Sequence, residues 1–412
     1  MHFSDLDLNK SLLKAIFEKN YETPTEVQQK TIPLVLAKKD VIASAQTGTG
    51  KTAAFALPIL QLLFHQQDAN KKQKNIRALI VSPTRELAHQ INEEFNDYSK
   101  YTNLSSTVVY GGASIDTQKK VLKKGVDVLI ATPGRLLDLC KQEIVDLSTI
   151  EILVLDEADL MLDMGFIDDI KKIHKLCPDE KQVLLFSATM PSKVVHFAKS
   201  LLTNPEIVEI SSEKTKKNSV KQLLFYVPKP NKIELCLYLL RNTIKGNILI
   251  FRRTRNGVDK LEQTLLKNGF NVETLHGEKS QNLRQNALNK FKNNEVNILI
   301  ATDVASRGID IEDLDVVINF DLPNISETYI HRIGRTGRAG KTGTSYSFCS
   351  EDEKNYVVDI QKAIKKAIPI VEDHPYALQR KEKIVVHKKK SSTKHKKGRK
   401  STASKKNKKR WY

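Results

Sequence analysis

Short apolar, β-branched runs alternate along this chain with longer stretches whose apolar residues recur at helical spacing. In the first half the apolar runs fall at 41–43, 78–81, 126–131, 152–155 and 183–186, with amphipathic stretches such as 86–98 between them. The second half repeats the style at 248–251, 272–275, 298–301, 316–320 and 345–348. A strand buried on both faces reads as a near-continuous apolar run, and alternation with helices places such strands in a parallel sheet covered on both sides. The pattern therefore predicts an α/β fold in which two tandem domains each hold a parallel sheet. Several runs end in polar residues, at the carboxyl edge where open α/β sheets bind ligands. No self-similarity at a period of about 20–50 residues is visible, which excludes a solenoid.

The stretch Ser211-Ser212-Glu213-Lys214-Thr215-Lys216-Lys217-Asn218-Ser219 is polar and aperiodic and reads as a connector. The expected division is an N-terminal segment 1–29, a first domain 30–208, a linker 209–219, a second domain 220–372 and a tail 373–412. A length of 412 residues is too great for one ordinary core and suits two.

Charge separates the tail from the body. The net charge is +19, and 388–410 holds 13 Lys and Arg with no acid, so the body carries only about +6. Such an arm cannot bury enough apolar surface to fold alone and is expected to be disordered. A polyanion is its natural partner, and charge alone does not choose between RNA, DNA and anionic lipid; a solubilising or import-like run is the alternative. The terminal Trp411 and Tyr412 can stack on bases.

The four cysteines, Cys140, Cys177, Cys236 and Cys349, are too far apart for a CxxC zinc or redox signature, and so few suit a reducing compartment. No basic segment followed by an apolar one opens the chain, and no run approaches about 18 apolar residues. These features argue against a secreted or membrane-spanning protein and predict a cytoplasmic one.

Candidate chemistry begins at Ala45-Gln46-Thr47-Gly48-Thr49-Gly50-Lys51-Thr52, between the run at 41–43 and a helical stretch at 53–63. Strand, Gly-rich turn and helix is the setting of a P-loop. Glycines let backbone N–H groups face the β-phosphate, Lys51 reaches the β/γ oxygens, and the Thr52 hydroxyl ligates Mg²⁺. Ala45 stands where the generic pattern has Gly. An ordinary Gly/Thr turn is the bland alternative, and a GKT at a helix start argues against it. About 105 residues on, Asp156-Glu157-Ala158-Asp159 closes the run at 152–155. An acid at such a strand end holds the metal of a P-loop enzyme, so Asp156 suits Mg²⁺ and Glu157 suits polarisation of the attacking water. A helix cap with solvated acids is the alternative.

With these residues in place the sequence resembles the DEAD-box ATP-dependent RNA helicases of superfamily 2, from Phe3 to about residue 370, and its four acidic-site letters give that family its name. Asn20-Tyr21-Glu22-Thr23-Pro24-Thr25-Glu26-Val27-Gln28 resembles the family's adenine-reading motif, with Asn20 in place of the usual Gly. Pro83-Thr84-Arg85-Glu86-Leu87, Gly111-Gly112, Thr132-Pro133-Gly134-Arg135, Ser187-Ala188-Thr189, Ile250-Phe251-Arg252-Arg253-Thr254, Gln281-Asn282-Leu283-Arg284, the run from Ala301 to Asp310 and His331-Arg332-Ile333-Gly334-Arg335-Thr336-Gly337-Arg338 follow in the family's order. A compact core with a short basic tail most resembles the bacterial RhlE-type subfamily.

The resemblance implies two RecA-like domains that close on ATP, Mg²⁺ and one strand of RNA. It implies that Phe3 stacks on adenine, Gln28 reads its edge and Asp310 contacts the ribose. It places Arg85, Gly112, Thr132, Pro133, Gly134, Arg135, Arg284 and Thr302 on RNA, mostly on phosphates. Ser187, Thr189 and His331 couple hydrolysis to strand separation, and Arg335 and Arg338 are arginine fingers, one turn apart if helical. The implied partner is single-stranded or short duplex RNA, ribosomal RNA included, bound by a monomer. A DNA helicase and a non-catalytic RNA clamp are the competing readings. Intact Lys51, Glu157, Arg335 and Arg338 argue against the clamp.

Overall fold

The computed structural model describes residues 1–45, 48–65, 75–210, 220–306, 314–337 and 342–378. The first sheet comprises, among the described residues, β1 (Val41–Ser44), β2 (Ala78–Val81), β3 (Ser106–Val109), β4 (Val128–Ala131), β5 (Ile152–Leu155), β6 (Gln182–Ser187) and β7 (Glu206–Glu209). Its order is β3-β4-β2-β5-β6-β1-β7, parallel throughout. The second holds β8 (Lys221–Tyr226), β9 (Ile248–Arg252), β10 (Val272–Leu275), β11 (Ile298–Thr302), β12 (Val316–Asn319) and β13 (Thr344–Cys349). These run in the order β10-β11-β9-β12-β13-β8, again parallel.

Strand periodicity explains why continuous apolar runs were needed. Ala78 and Ile80 of β2 join one core, with Phe55 of the helix Lys51–His65, Phe95 of the helix Arg85–Ser99 and the N-terminal Phe3, Leu12 and Ile16. Leu79 and Val81 of the same strand point to the opposite face and join a second core, with Leu136, Met161, Ile170 and Phe197. β2 thus buries both faces. The second sheet is sandwiched in the same way, with Ile248 and Ile250 in one cluster and Leu249 and Phe251 in another.

All ten strands read from the sequence occur, and three more, β3, β7 and β8, were not anticipated. Each of the three lies at a sheet edge. An edge strand meets less core and keeps fewer apolar positions: in β7 Ile207 is 67% exposed between two glutamates, and only Val208 is buried. The edge at β8 is partly covered by chain that returns to it. Leu224 N–H donates to Pro369 O at 2.8 Å and Val371 N–H to Leu224 O at 2.9 Å. His374 then packs on Phe225 at 5.4 Å between ring centroids, and Tyr376 reaches Tyr238. Residues 373–377, expected in the tail, therefore continue the packed body, which extends to Ala377. Their few apolar contacts lack the spacing that marks a helix or strand. The linker stretch 211–219 and the cationic arm lie outside the described residues. Among the described residues no helix is long and apolar enough to cross a membrane.

Candidate active site

β1 runs into the Gly-rich turn, and Ala45 N–H donates to Ser187 O at 3.1 Å, tying the turn to the end of β6. Gly48 and Gly50 have φ of 78° and 87°. At Gly50 the need is double, because a Cβ there would sit 2.4 Å from Gln28 Nε2. Gln28 is buried, and its amide bridges two backbones: Nε2 donates to Gly50 O at 3.1 Å and Oε1 accepts from Thr25 N–H at 2.9 Å. The second bond belongs to a capping box that starts the helix Glu26–Leu36. Gln28 thus couples the start of that helix to the turn. Gln46 and Thr47 lie outside the described residues.

Lys51 opens the next helix, and its Nζ lies 2.9 Å from Glu157 Oε1, with the two side chains only 5% and 9% exposed. Burial alone would drive the Lys51 ammonium down; Glu157 and Asp156 outweigh it and hold it above the usual lysine value. Asp156 goes the other way. Burial, then the neighbouring Glu157 charge, push its carboxyl up to about 7 against the pull of Lys51. Both acids leave the end of β5 on a backbone bent by Glu157 itself, whose φ of 53° and ψ of 54° are left-handed. A non-glycine residue in that region is strained, and strain of this kind collects at functional sites.

These groups line a cavity of about 840 Å³, the size of a small-molecule site. Gly48, Gly50, Lys51, Thr52, Asp156 and Glu157 line it from the first domain, and His331 and Arg335 from the second. Its wall includes the rings of Phe3 and Tyr21. Phe3 touches the cavity from within the core and is 1% exposed, whereas Tyr21, to which the sequence reading gave no role, lines it while 36% exposed. Asn20 before it has φ of 58°, a conformation that Gly and Asn tolerate best, which explains the departure from Gly at that position. Thr25 completes the wall beside Gln28.

The carboxylate of Asp159 gathers the coupling residues. Its Oδ2 accepts from Thr189 N–H at 2.8 Å and from the Thr189 hydroxyl at 2.7 Å, and lies 3.6 Å from Nε2 of His331 in the second domain. Ser187 Oγ donates to Thr189 O at 2.7 Å and accepts from Asp159 N–H at 3.2 Å. Burial alone would raise the Asp159 carboxyl; the bonds from His331 and Thr189 override it and hold the group well below the usual range. The helix that bears His331, Ser326–Ile333, stops at Gly334. Arg335 therefore sits in a turn and not on the helix, and Arg338 and Asp310 lie outside the described residues.

The residues expected on RNA fall at the strand ends of both sheets. At Gly112, with φ of 79°, a Cβ would meet Arg85 Nη1 at 2.5 Å, so only glycine lets this arginine lie against the turn. Arg135 donates from both Nη atoms to Ala113 O, at 3.3 and 3.2 Å. Thr132 and Pro133 start the helix Pro133–Lys141, and the space beside Gly134 is open, which leaves that helix N-terminus accessible to a phosphate. Thr302 ends β11. Arg284 departs from expectation. Its Nη2 lies 2.8 Å from Glu86 Oε1 of the first domain and donates to Ala305 O at 3.2 Å, and the paired side chains are 9% and 5% exposed. Gln281 Nε2 reaches the same Glu86 oxygen at 3.3 Å. Buried and engaged in this way, Arg284 serves the domain interface and does not face a phosphate.

Two family models match the chain in tandem, DEAD/DEAH box helicase over 25–197 and the helicase conserved C-terminal domain over 231–340. The ATP-dependent RNA helicase CshA of Limosilactobacillus reuteri is 44% identical over 362 residues, spanning 88% of this chain and 72% of that protein. The chain belongs to the DEAD-box RNA helicase family. It is an ATP-using, RNA-stimulated ATPase built on two RecA-like domains.

Solved structures also match this helicase. Saccharomyces cerevisiae Dbp5 bound to RNA and ADP BeF3 matches with a TM-score of 0.80 at 31% identity, over 90% of this chain and 95% of that one. A DEAD box protein from the hyperthermophile Methanococcus jannaschii is closer in sequence, at 38% identity over 90% of this chain and 99% of that one, yet its TM-score is 0.51. Within this helicase Glu86 of the first domain meets Arg284 of the second, and Asp159 lies beside His331, so these two pairs form the seams between the domains.

Proposed function

We propose that this helicase separates short RNA duplexes and remodels RNA–protein complexes by closing on one RNA strand at the cost of one ATP, with the reacting phosphate between Lys51 and Arg335. The cavity that joins Lys51, Asp156 and Glu157 of one domain to His331 and Arg335 of the other carries this reading. Mg²⁺ fits the acidic end, because two carboxylates buried side by side, one raised to about 7, form a site that a cation relieves. Thr52 and Asp156 would hold it, and once bound it would neutralise charge on the β- and γ-phosphates.

Lys51 is paired with Glu157. ATP takes the ammonium for its phosphates and so releases the Glu157 carboxylate to polarise the attacking water. Arg335, joined by Arg338, supplies positive charge where it develops in the transition state. Tyr21 and Phe3 flank the adenine, Gln28 reads its edge while still holding Gly50, and Asp310 takes the ribose. Arg85, Gly112, the Thr132–Gly134 helix start, Arg135 and Thr302 carry the RNA backbone, and the cationic arm adds a sequence-independent tether. The short basic extension suits the RhlE-type subfamily, a cytoplasmic monomer and a structured RNA such as ribosomal RNA.

ATPase turnover measured with single-stranded RNA, with single-stranded DNA and with neither tests the substrate class. Stimulation by RNA alone is expected, because contacts to the 2′-OH distinguish the two nucleic acids. Equal stimulation by DNA would replace the RNA reading with the DNA-helicase one.

A further inference from the structure

The interior of the second domain holds a chain of polar groups that none of the roles above uses. Asn319, at the end of β12, is completely buried, as are Ser345 and Ser347 of β13 beside it. Asn319 Nδ2 donates to Ser345 Oγ at 3.3 Å and to Ser347 Oγ at 3.2 Å. Its Oδ1 accepts from Arg332 Nη1 at 3.1 Å. Arg332, itself 2% exposed, pairs in a two-pronged fashion with Asp303, Nε to Oδ1 at 2.5 Å and Nη2 to Oδ2 at 2.7 Å. Its Nη1 also donates to Asp321 O at 2.7 Å, and the guanidinium lies over the Phe251 ring at 4.7 Å from the centroid.

A parallel sheet gains nothing in stability from this arrangement. Apolar residues would fill the same space, and buried polar groups cost free energy unless each is bonded. What the chain does supply is direction. Arg332 can only donate, so it fixes Oδ1 as the end of the Asn319 amide that faces it while the two serine oxygens hold the Nδ2 end, and a planar guanidinium held at three edges can take only one orientation. The places it joins are the two working ends of the domain. Asp303 directly follows Thr302, on the RNA side of β11. Arg332 directly follows His331, which meets Asp159 of the first domain, and precedes by one turn Arg335, which lines the nucleotide cavity.

We propose that Asn319 is a positioning residue for ATP hydrolysis: with Ser345 and Ser347 it clamps Arg332 against Asp303, and through Arg332 it holds His331 and Arg335 in register with the RNA-facing end of β11. The inference rests on the reading of Arg335 as the group that meets the phosphate. It makes the RNA-side strand end and the nucleotide-side turn one rigid piece, so that a shift of the first displaces the second. No short sequence pattern marks Asn319, a single polar residue inside the apolar run at 316–320.

The test is steady-state ATPase at saturating RNA, with melting temperature measured on the same preparations. Asn319→Leu removes the acceptor facing Arg332 while preserving volume. It is expected to lower kcat about ten-fold or more, because small misplacements of reacting groups are costly, and to leave KM for ATP within about three-fold. Melting is expected to fall, since Ser345, Ser347 and Arg332 Nη1 each lose a buried partner, so turnover is compared well below the melting transition of every variant. Asn319→Asp keeps an acceptor for Arg332 and for both serine hydroxyls, and should recover several-fold of the lost turnover. Should Asn319→Leu fail to fold, the double variant Ser345→Ala/Ser347→Ala decides, because it frees the amide to rotate and should lower kcat about three-fold or more at unchanged KM. A kcat within about two-fold of wild type in whichever of these variants is folded overturns the proposal. Arg335→Ala, assayed alongside, tells two failures apart. Lost turnover there with intact turnover in the Asn319 variant sinks the inference alone. Intact turnover in Arg335→Ala removes the reading of Arg335 on which the inference stands, and the inference with it.

Discussion

Replacing Glu86 by Gln removes the charge from the buried pair that joins the two domains. In the closed form Arg284 then keeps only the Ala305 carbonyl at 3.2 Å and whatever bond the new amide oxygen offers. Stranding one partner of a buried ion pair costs about 3–5 kcal/mol. The retained carbonyl and the amide oxygen, at ~1 kcal/mol each, trim this to about 1–3 kcal/mol. When the domains part, both groups meet water and the cost vanishes. The penalty therefore falls on closing, where it corresponds to about 5- to 150-fold.

RNA binding reports this directly, measured by fluorescence anisotropy with and without a non-hydrolysable ATP analogue. With the analogue, tight binding requires closure, so Glu86→Gln should weaken RNA affinity by nearly the full factor. Without nucleotide the affinity should change by less than about three-fold. Arg284→Met should do the same, and the double variant should be no worse than the harsher single one, since both remove one interaction. The reasoning fails if Glu86→Gln leaves affinity with the analogue unchanged. It fails also if Arg284→Met weakens binding equally with and without nucleotide while Glu86→Gln is silent, for then Arg284 is a phosphate ligand.

Lys51→Ala should weaken ATP binding and abolish hydrolysis, as read by ATP titration and phosphate release; turnover near wild type would remove the P-loop assignment. Deleting 388–412 should weaken RNA binding at low salt and flatten its salt dependence, each lost phosphate contact on a single strand removing a slope of about 0.7, while maximal turnover at saturating short RNA is unchanged. Loss of maximal turnover with half-saturation unaltered would place the arm in the catalytic cycle. Asp321 accepts from Arg252 Nε at 2.8 Å, and although burial pushes its carboxyl up, Arg252, the Arg253 backbone and Lys232 hold it below the usual range. A depressed folded-state value means stability that is fully present above an ordinary carboxylate pKa of about 3.9 and lost as pH falls through the lower folded value. Asp321→Asn should therefore lower the melting temperature by a constant amount between about pH 5 and 8, with the gap closing as pH falls below the ordinary carboxylate value; a gap that widens toward acid contradicts the assignment.

The parts of the fold that were legible are those where both faces of a strand are buried. β2, β5 and β10 occur with the bounds read from their apolar runs, because alternate residues of β2 and β5 feed two cores and β10 keeps three of its four positions inside. β3, β7 and β8 were not legible. At a sheet edge Ser106, Glu206 and Lys221 are tolerated where an interior strand would need Val or Ile, so the run that marks a strand is broken. Residues 373–377 were placed in the tail for the related reason that a few isolated contacts, such as His374 on Phe225, leave no period. In the site, the Gly-rich turn could be read because its chemistry is local: strand, left-handed glycines and helix follow within a few residues. Glu86, Asp159 and Asn319 could not, because each is defined by a partner far along the chain. Gln281 meets Glu86 across 195 residues, and an arginine beside it in a basic motif looks like a phosphate ligand until the carboxylate from the other domain is seen.

The same distribution of partners explains why nucleotide and closure depend on each other. Within the first domain Lys51 is already neutralised by Glu157, and Asp156 is held near neutrality by its own burial beside that second acid. Arg335 lines this cavity from the second domain, where a bound triphosphate would add negative charge. Glu86 with Arg284, and Asp159 with His331, meet across the seam, but each pair must be desolvated to do so, and desolvation consumes much of what the attraction returns. On the proposed reading, ATP would favour closure by adding an anion between Lys51 and Arg335, and loss of phosphate would remove that anion and favour the open form, which releases the strand.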